Sequence, residues 1–209
     1  MKALSTKFIL FICLILAYQF QAQNTASILD DLPLNYEKTS PIYLLSDQLL
    51  DNEAQVPDYD NKPTKLKISG TIYQADGKTP AKDVILFIYQ PDENGNYKMK
   101  RDANRNRYVY HRAWVKTNAD GKYTFYTFMP GKYLKAKELK QIHRIIKEPG
   151  KPEQELSAFF FNDDPLIPDL TLACRAEAVK SMLRLEEKDD MLVATKDIVL
   201  KKSKDILTQ

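Results

Sequence analysis

The tightest constraint on this chain is the spacing of turn residues along its middle third. Leu66-Lys-Ile-Ser-Gly-Thr-Ile-Tyr73 alternates apolar and polar positions. It stops at Ala75-Asp76-Gly77-Lys78, where glycine supplies the positive φ a tight turn needs. Residues 84–89 form an apolar run of strand length, ended by Pro91-Asp-Glu-Asn-Gly95. Residues 108–117 are predicted as the next strand, and Asn118-Ala-Asp-Gly121 turns into residues 122–128. There Tyr123, Phe125 and Thr127 share one face, and Thr124, Tyr126 and Phe128 the other. Residues 142–147, 156–161 and 197–200 supply three more strands. Short strands so closely punctuated predict an all-β, antiparallel β-sandwich over residues 65–203. One interruption is expected. Leu172, Ala176, Val179 and Leu183 recur at helical spacing, which predicts a short helix within residues 170–187.

Ahead of the sandwich stand two segments of different character. Lys2 and Lys7 precede an apolar run of about a dozen residues from Phe8 to Tyr18. That pattern describes a secretory signal peptide over residues 1–23, the alternative being a retained N-terminal anchor. The run is shorter than the ~20 residues of a membrane span, so no span is expected after signal removal. A secreted or periplasmic location follows. Residues 24–64 are polar and carry Pro33, Pro41 and Pro57, and they read as an arm lying against the domain. Within the arm Leu44, Leu45, Leu49 and Leu50 could form a short amphipathic helix. Signal removal leaves Cys174 as the only cysteine, which excludes an internal disulfide; a buried thiol is expected there. The formal charge of +3 is small for this length and does not call for nucleic acid. The basic run Lys98, Lys100, Arg101, Arg105, Arg107 and Arg112 suits a solvated loop, or a rim that attracts an anionic aromatic acid.

Several motifs, taken in order, resemble the intradiol ring-cleavage dioxygenases, the family of the catechol and protocatechuate dioxygenases. They are Ile68-Ser-Gly-Thr-Ile-Tyr73, Asp76-Gly-Lys-Thr-Pro80, Gly95-Asn-Tyr97, Lys116-Thr-Asn-Ala-Asp-Gly-Lys-Tyr-Thr-Phe125, Pro130-Gly-Lys-Tyr133 and Phe160-Phe-Asn-Asp-Asp-Pro165. The resemblance covers residues 66–169 and extends to the C-terminal strand. It implies a prealbumin-like sandwich core and Fe(III) held by two tyrosinates and a His-x-His pair. It also implies a small aromatic diol as substrate, and makes a homodimer plausible. Carried over by position, the tyrosines are Tyr97 and Tyr133, which would also be the catalytic residues. The His-x-His pair falls on Gln141-Ile142-His143, so glutamine stands where the first histidine belongs. The arginine usual just before that pair is absent, the stretch reading Lys137-Glu-Leu-Lys140.

Two residues apart on a strand, Gln141 and His143 face the same way, so the paired geometry survives the substitution. An amide oxygen can bind a hard cation, but as a neutral and weaker donor than imidazole. Iron held weakly, or not at all, is the consequence. Arg112 and Trp114, on the strand after the basic run, are the expected substrate contacts. His111 beside them is expected in a surface pair, with a substrate or metal contact as the rarer alternative. Adjacent strand residues point to opposite faces, so Asp163-Asp164 is expected to form a turn and not a ligand pair. Two functions remain open: an intradiol-type ferric dioxygenase, and a secreted binding module that keeps the shape and has lost the metal. A generic accessory sandwich domain is a third, but it gives no reason for the ordered tyrosine pair with a histidine beyond it.

Overall fold

The computed structural model describes residues 40–45, 49–132, 138–169 and 171–202. In chain order the strands are β1 (Glu53–Gln55), β2 (Lys65–Tyr73), β3 (Ile85–Tyr89), β4 (Met99–Arg101), β5 (Arg107–Val109), β6 (Arg112–Lys116), β7 (Lys122–Phe128), β8 (Gln141–Lys147) and β9 (Gln154–Phe161). One helix, α1 (Leu172–Lys180), precedes β10 (Met182–Leu183), β11 (Glu186–Lys188), β12 (Met191–Thr195) and β13 (Ile198–Val199). They build two sheets. The first runs β1-β7-β2-β12-β11, with β13 also on β2; the second runs β10-β9-β8-β3-β6. A separate hairpin joins β4 to β5.

The expected sandwich is present, and its long central pairs are antiparallel: β2 with β7, β3 with β6 and β8, and β8 with β9. Shorter strands add parallel pairings of β1 on β7, β12 and β13 on β2, and β10 on β9. Between β12 and β13 the Asp197 side chain interrupts the pairing, its Oδ1 accepting from Thr71 N at 2.8 Å, and Gly70 leaves room for the chain there. A Cβ on Gly70 would run into the carbonyl oxygen of Lys196, which lies between the two strands.

The alternation of β2 buries Leu66, Ile68 and Ile72 against Tyr123 and Phe125 of β7 on one side of the core. Leu86, Ile88, Val115, Ile142, Ile146, Phe159 and Phe161 fill it from the other sheet. A second apolar cluster lies on the outer face of the second sheet, where Phe87, Ile85 and Ile145 are covered by Ile42 and Tyr43. The described part of the N-terminal segment is thus built into both layers, as a cover on one sheet and as edge strand β1 of the other. Residues 44, 45, 49 and 50 are not helical, and Leu49 is exposed.

Three expectations change on contact with the structure. The strand predicted over 108–117 breaks at Tyr110 and His111, because the chain leaves the β4–β5 hairpin there to pair with β3. The Tyr110 amide still bonds to Lys98 O, while the next carbonyl, His111 O, accepts from Gln90 N. The helix is only nine residues long, capped by Thr171, and among its described side chains only Ala178 is buried. Leu172 is 83% exposed and Val179 55%, and Cys174 is exposed, not buried. The helical spacing was deceptive because Leu183 is buried as a strand residue, opposite Phe161 in β10, after the helix has ended.

Candidate metal centre

The position of Tyr97 is set by a loop that folds around one carboxylate. Asp92 Oδ1 accepts from the amides of Asn94 and Asn96 at 2.9 and 2.8 Å. Gly95 supplies φ 82°, and its amide bonds to Asp92 O. The start of the loop is tied down by Gln90, which is fully buried: its Nε2 donates to Phe128 O at 2.9 Å, and Thr127 Oγ1 donates to its Oε1 at 2.6 Å. A second link crosses from the turn that leads towards Tyr133. Gly131 N donates to Asp92 O at 2.8 Å, and a Cβ on Gly131 would lie 2.5 Å from Glu93 O. Gly131→Ala is therefore expected to cost about 1–3 kcal/mol by overpacking. Thermal melts would show it, together with weakened ferric binding, because the Tyr97 loop must move.

The strand β8 is anchored at its start by buried Asp164, which accepts from Lys140 N at 2.6 Å and from Leu166 N at 3.0 Å. Asp163-Asp164 is thus the expected turn, with Asp164 as its internal cap. Ile142 and Arg144 of β8 point into the core, leaving Gln141 and His143 on the outer face. Opposite His143 the register with β9 shifts between Ile142 and Arg144. Arg144 takes up the bulge carbonyl, donating from Nε to Ser157 O at 2.8 Å, while its guanidinium lies 3.9 Å above the Phe159 ring. Burial draws the Arg144 pKa down to about 10.

These two anchorages bring residues 46 apart in sequence together. Tyr97 Oη and His143 Nε2 stand 2.7 Å apart and are hydrogen-bonded. Burial lowers the His143 pKa, against the pull of Glu138 and Glu155, and so favours the neutral ring that binds metals. Beneath it lies a residue that the sequence did not single out. Tyr89, at the end of β3 and directly paired with His143, stacks on the imidazole at 4.5 Å between centroids and 10° between planes. The only sequence signal for it was an aromatic at the end of an apolar strand.

The remaining predicted residues divide. Tyr133 lies outside the described residues. Gln141 shares the face of His143, but its amide donates to Glu138 Oε2 at 3.3 Å. Arg112 and Trp114 are held by the N-terminal segment: Trp114 Nε1 donates to Ile42 O at 2.8 Å, and Arg112 Nη2 reaches Leu44 O at 3.4 Å. Trp114 also packs on Phe87 at 4.6 Å. In register Arg112 is paired with Tyr89, and Tyr89 with His143, so Tyr89 stands between Arg112 and the histidine.

His111 corrects the expectation of a surface pair, being only 1% exposed and packed edge-on against Phe128 at 5.0 Å. Asp58 Oδ2 is 3.5 Å from its Nε2, but neither ring nitrogen has a hydrogen-bond partner in good geometry. Burial outweighs the carboxylate and lowers the His111 pKa, so the ring is neutral and the contact is not an ion pair. The unfolded chain then binds the proton more readily than the folded one. This contribution to stability is complete above the ordinary pKa of ~6.5 and is lost as pH falls below it. Urea midpoints should drop between pH 7.5 and 5.5, and drop less in His111→Gln. Some loss should persist in that variant, since His143 shifts in the same direction.

Among the described residues no group of three or more His, Cys, Asp and Glu side chains could hold a metal ion. A metal here would rest on phenol oxygen as well as imidazole. Two donors bound at right angles about 2.0–2.1 Å from one transition-metal ion are ~2.9 Å apart. The Tyr97–His143 separation is close to that edge, and phenolate with neutral imidazole suits a hard ferric ion. The donor types of the pair suit iron, and Gln141, if it joined them, would be the weakest donor.

A protein-family model described as Dioxygenase matches residues 38–202, reaching further in both directions than the motifs did. Solved structures agree on the fold. The dioxygenase domain of a dioxygenase–carbohydrate-binding protein fusion from the cellulolytic bacterium Streptomyces sp. SirexAA-E is 24% identical, covers 67% of this chain and 81% of its own, and superposes with a TM-score of 0.56. An intradiol ring-cleavage dioxygenase from Tetranychus urticae gives 18%, 67%, 82% and 0.55 for the same measures. Catechol 1,2-dioxygenase from Acinetobacter sp. ADP1 gives 18% identity and a TM-score of 0.56, over 72% of this chain and only 57% of that one. No curated protein matches the chain by sequence. The chain belongs to the intradiol ring-cleavage dioxygenase family, whose members are in general iron-dependent.

Proposed function

We propose that this protein is an exported non-haem ferric protein of intradiol type, cleaving catechol-type aromatics at a site built on Tyr97 and His143. The observation that carries the proposal is the 2.7 Å approach of Tyr97 Oη to His143 Nε2 from two separately anchored elements. Ferric iron, when bound, supplies a hard Lewis acid that templates both oxygens of a diol. The residues of the chain do the rest. Tyr97 offers an anionic oxygen that favours the ferric state, and His143 a neutral nitrogen. Tyr89 fixes the imidazole plane by stacking. Gln141 offers an amide oxygen once its side chain turns from Glu138, and Tyr133 is the proposed second phenolate. The apolar run near the N-terminus supports export to a secreted or periplasmic location, and a homodimer is the proposed assembly. No described helix is long and apolar enough to cross a membrane.

A second reading is a non-catalytic binding module, favoured by the glutamine at the first imidazole position and its engagement with Glu138. A visible spectrum with metal analysis, after ferric iron is added to the purified protein, separates the two. The dioxygenase reading expects near-stoichiometric iron and a broad tyrosinate-to-iron band, with the band much reduced in Tyr97→Phe. Colourless, iron-free protein under the same conditions favours the binding module.

A further inference from the structure

A second feature of the molecule does not depend on iron. Between β1, the end of the β4–β5 hairpin and β6 lies a cleft of about 310 Å³, lined among others by Ala54, Gln55, Tyr108, Tyr110, Arg112 and Trp114. That is the lower end of the size range of small-molecule sites, which are typically apolar with a few placed polar groups.

Its aromatic walls already carry cations. The Arg112 guanidinium lies 3.6 Å from the Tyr108 ring centroid and 4.8 Å from that of Trp114. Lys100 and Lys98 lie 3.5 and 4.4 Å from the Tyr110 centroid. These cations make the cleft electropositive. From Lys98 to Arg112 the chain has six cations, at 98, 100, 101, 105, 107 and 112, and one acid, Asp102. The acids nearby are already engaged: Asp58 accepts from Lys98 and Tyr110, Asp102 from the backbone and side chain of Asn106, and Asp60 from the Gln55 amide at 3.1 Å. Among the described residues, buried Arg112 Nη1 has no acceptor. A buried guanidinium donor without an acceptor is costly, and the acceptor that matches its planar fork is a carboxylate.

The geometry points to this cleft as a binding site for an aryl carboxylate. The carboxylate meets Arg112, and the ring lies among Tyr108, Tyr110 and Trp114. Tyr108 covers Arg112 in the free protein and sits on an exposed hairpin, so it lifts as the ligand enters. The site is separate from the proposed metal centre. Arg112 and His143 are two strands apart with Tyr89 between them, about 10 Å at the backbone.

Trp114 is the only tryptophan in the chain, so its fluorescence reports on this cleft directly. Metal-stripped full-length protein would be titrated with benzoate, benzamide and glucuronate, with excitation at the red edge of tryptophan absorption. The expected result is saturable quenching by benzoate, with benzamide and glucuronate at least tenfold weaker. Arg112→Gln should weaken benzoate at least tenfold, and Tyr97→Phe should leave it unchanged. Because Arg112 also holds the N-terminal segment, Gln55→Glu serves as a second variant; that exposed residue adds a repelling charge at the cleft and should weaken benzoate severalfold. Equal responses to benzoate and benzamide, or to benzoate and glucuronate, would overturn the proposal. So would no effect of Gln55→Glu, or loss of binding in Tyr97→Phe, which would place the ligand at the metal centre instead. The ferric spectrum tests that centre independently of every arm of this titration.

Discussion

Gln141→His is expected to raise ferric affinity by ~10–100-fold, on the scale by which ligand-sphere changes alter metal binding. The residue shares the outer face of β8 with His143, and the core-facing side chains of Ile142 and Arg144 hold that alternation in place. Its side chain is half-buried and, among the described residues, tied to Glu138 at 3.3 Å, so little of the described structure has to be broken to introduce an imidazole. Competition against a chelator of known ferric affinity measures the gain. A stronger tyrosinate-to-iron band per protein would show that the added ligand joins Tyr97 and His143. If the affinity does not rise, residue 141 is not a member of the metal set, whatever its alignment.

Phe159→Ala should produce the largest loss of stability among the single changes considered, about 3–5 kcal/mol. Phe159 is fully buried between the sheets and directly paired with Ile142 of β8. Its ring also faces the Arg144 guanidinium at 3.9 Å, and among the described residues that cation's partners are Ser157 O and Ser181 Oγ, with no carboxylate bonded to it. Truncation therefore opens a cavity and removes the π face from a buried charge, and both effects act in the same direction. For a domain of this size the melting temperature should fall by roughly 6–20 °C. Calorimetry checks this, with Leu172→Ala as the control: that side chain is 83% exposed on α1 and should change stability by no more than about 0.5 kcal/mol. Because Phe159 backs the strand that carries His143, ferric binding should weaken alongside.

The parts of this protein that were legible in its sequence are those governed by local rules. Alternation along β2, the apolar run of β3 and the Asp-Gly turn before β7 depend on neighbours a few residues away, and they placed the central strands correctly. The edges were not legible. β1, β10 and β11 are two or three residues long, and they exist because a longer strand offers unpaired backbone groups beside them. The helix was found but its buried face was not, since periodicity cannot tell that the chain turns at Ser181 before Leu183 enters the core.

The same division holds at the site. The sequence by itself determined the family, the two-sheet core and the chemical types available: phenol, imidazole and one amide out of place. Only the tertiary structure decided that Tyr97 meets His143, that Tyr89 supports the imidazole and that Arg112 and Trp114 face a cleft of their own. It also turned His111 from a surface residue into a buried neutral one. The physical reason is range: strand pattern and turn chemistry are set within a few residues. The distances that make a site depend on sheet pairing, core packing and the bonds of Asp92, Asp164 and Gln90, which join segments tens of residues apart.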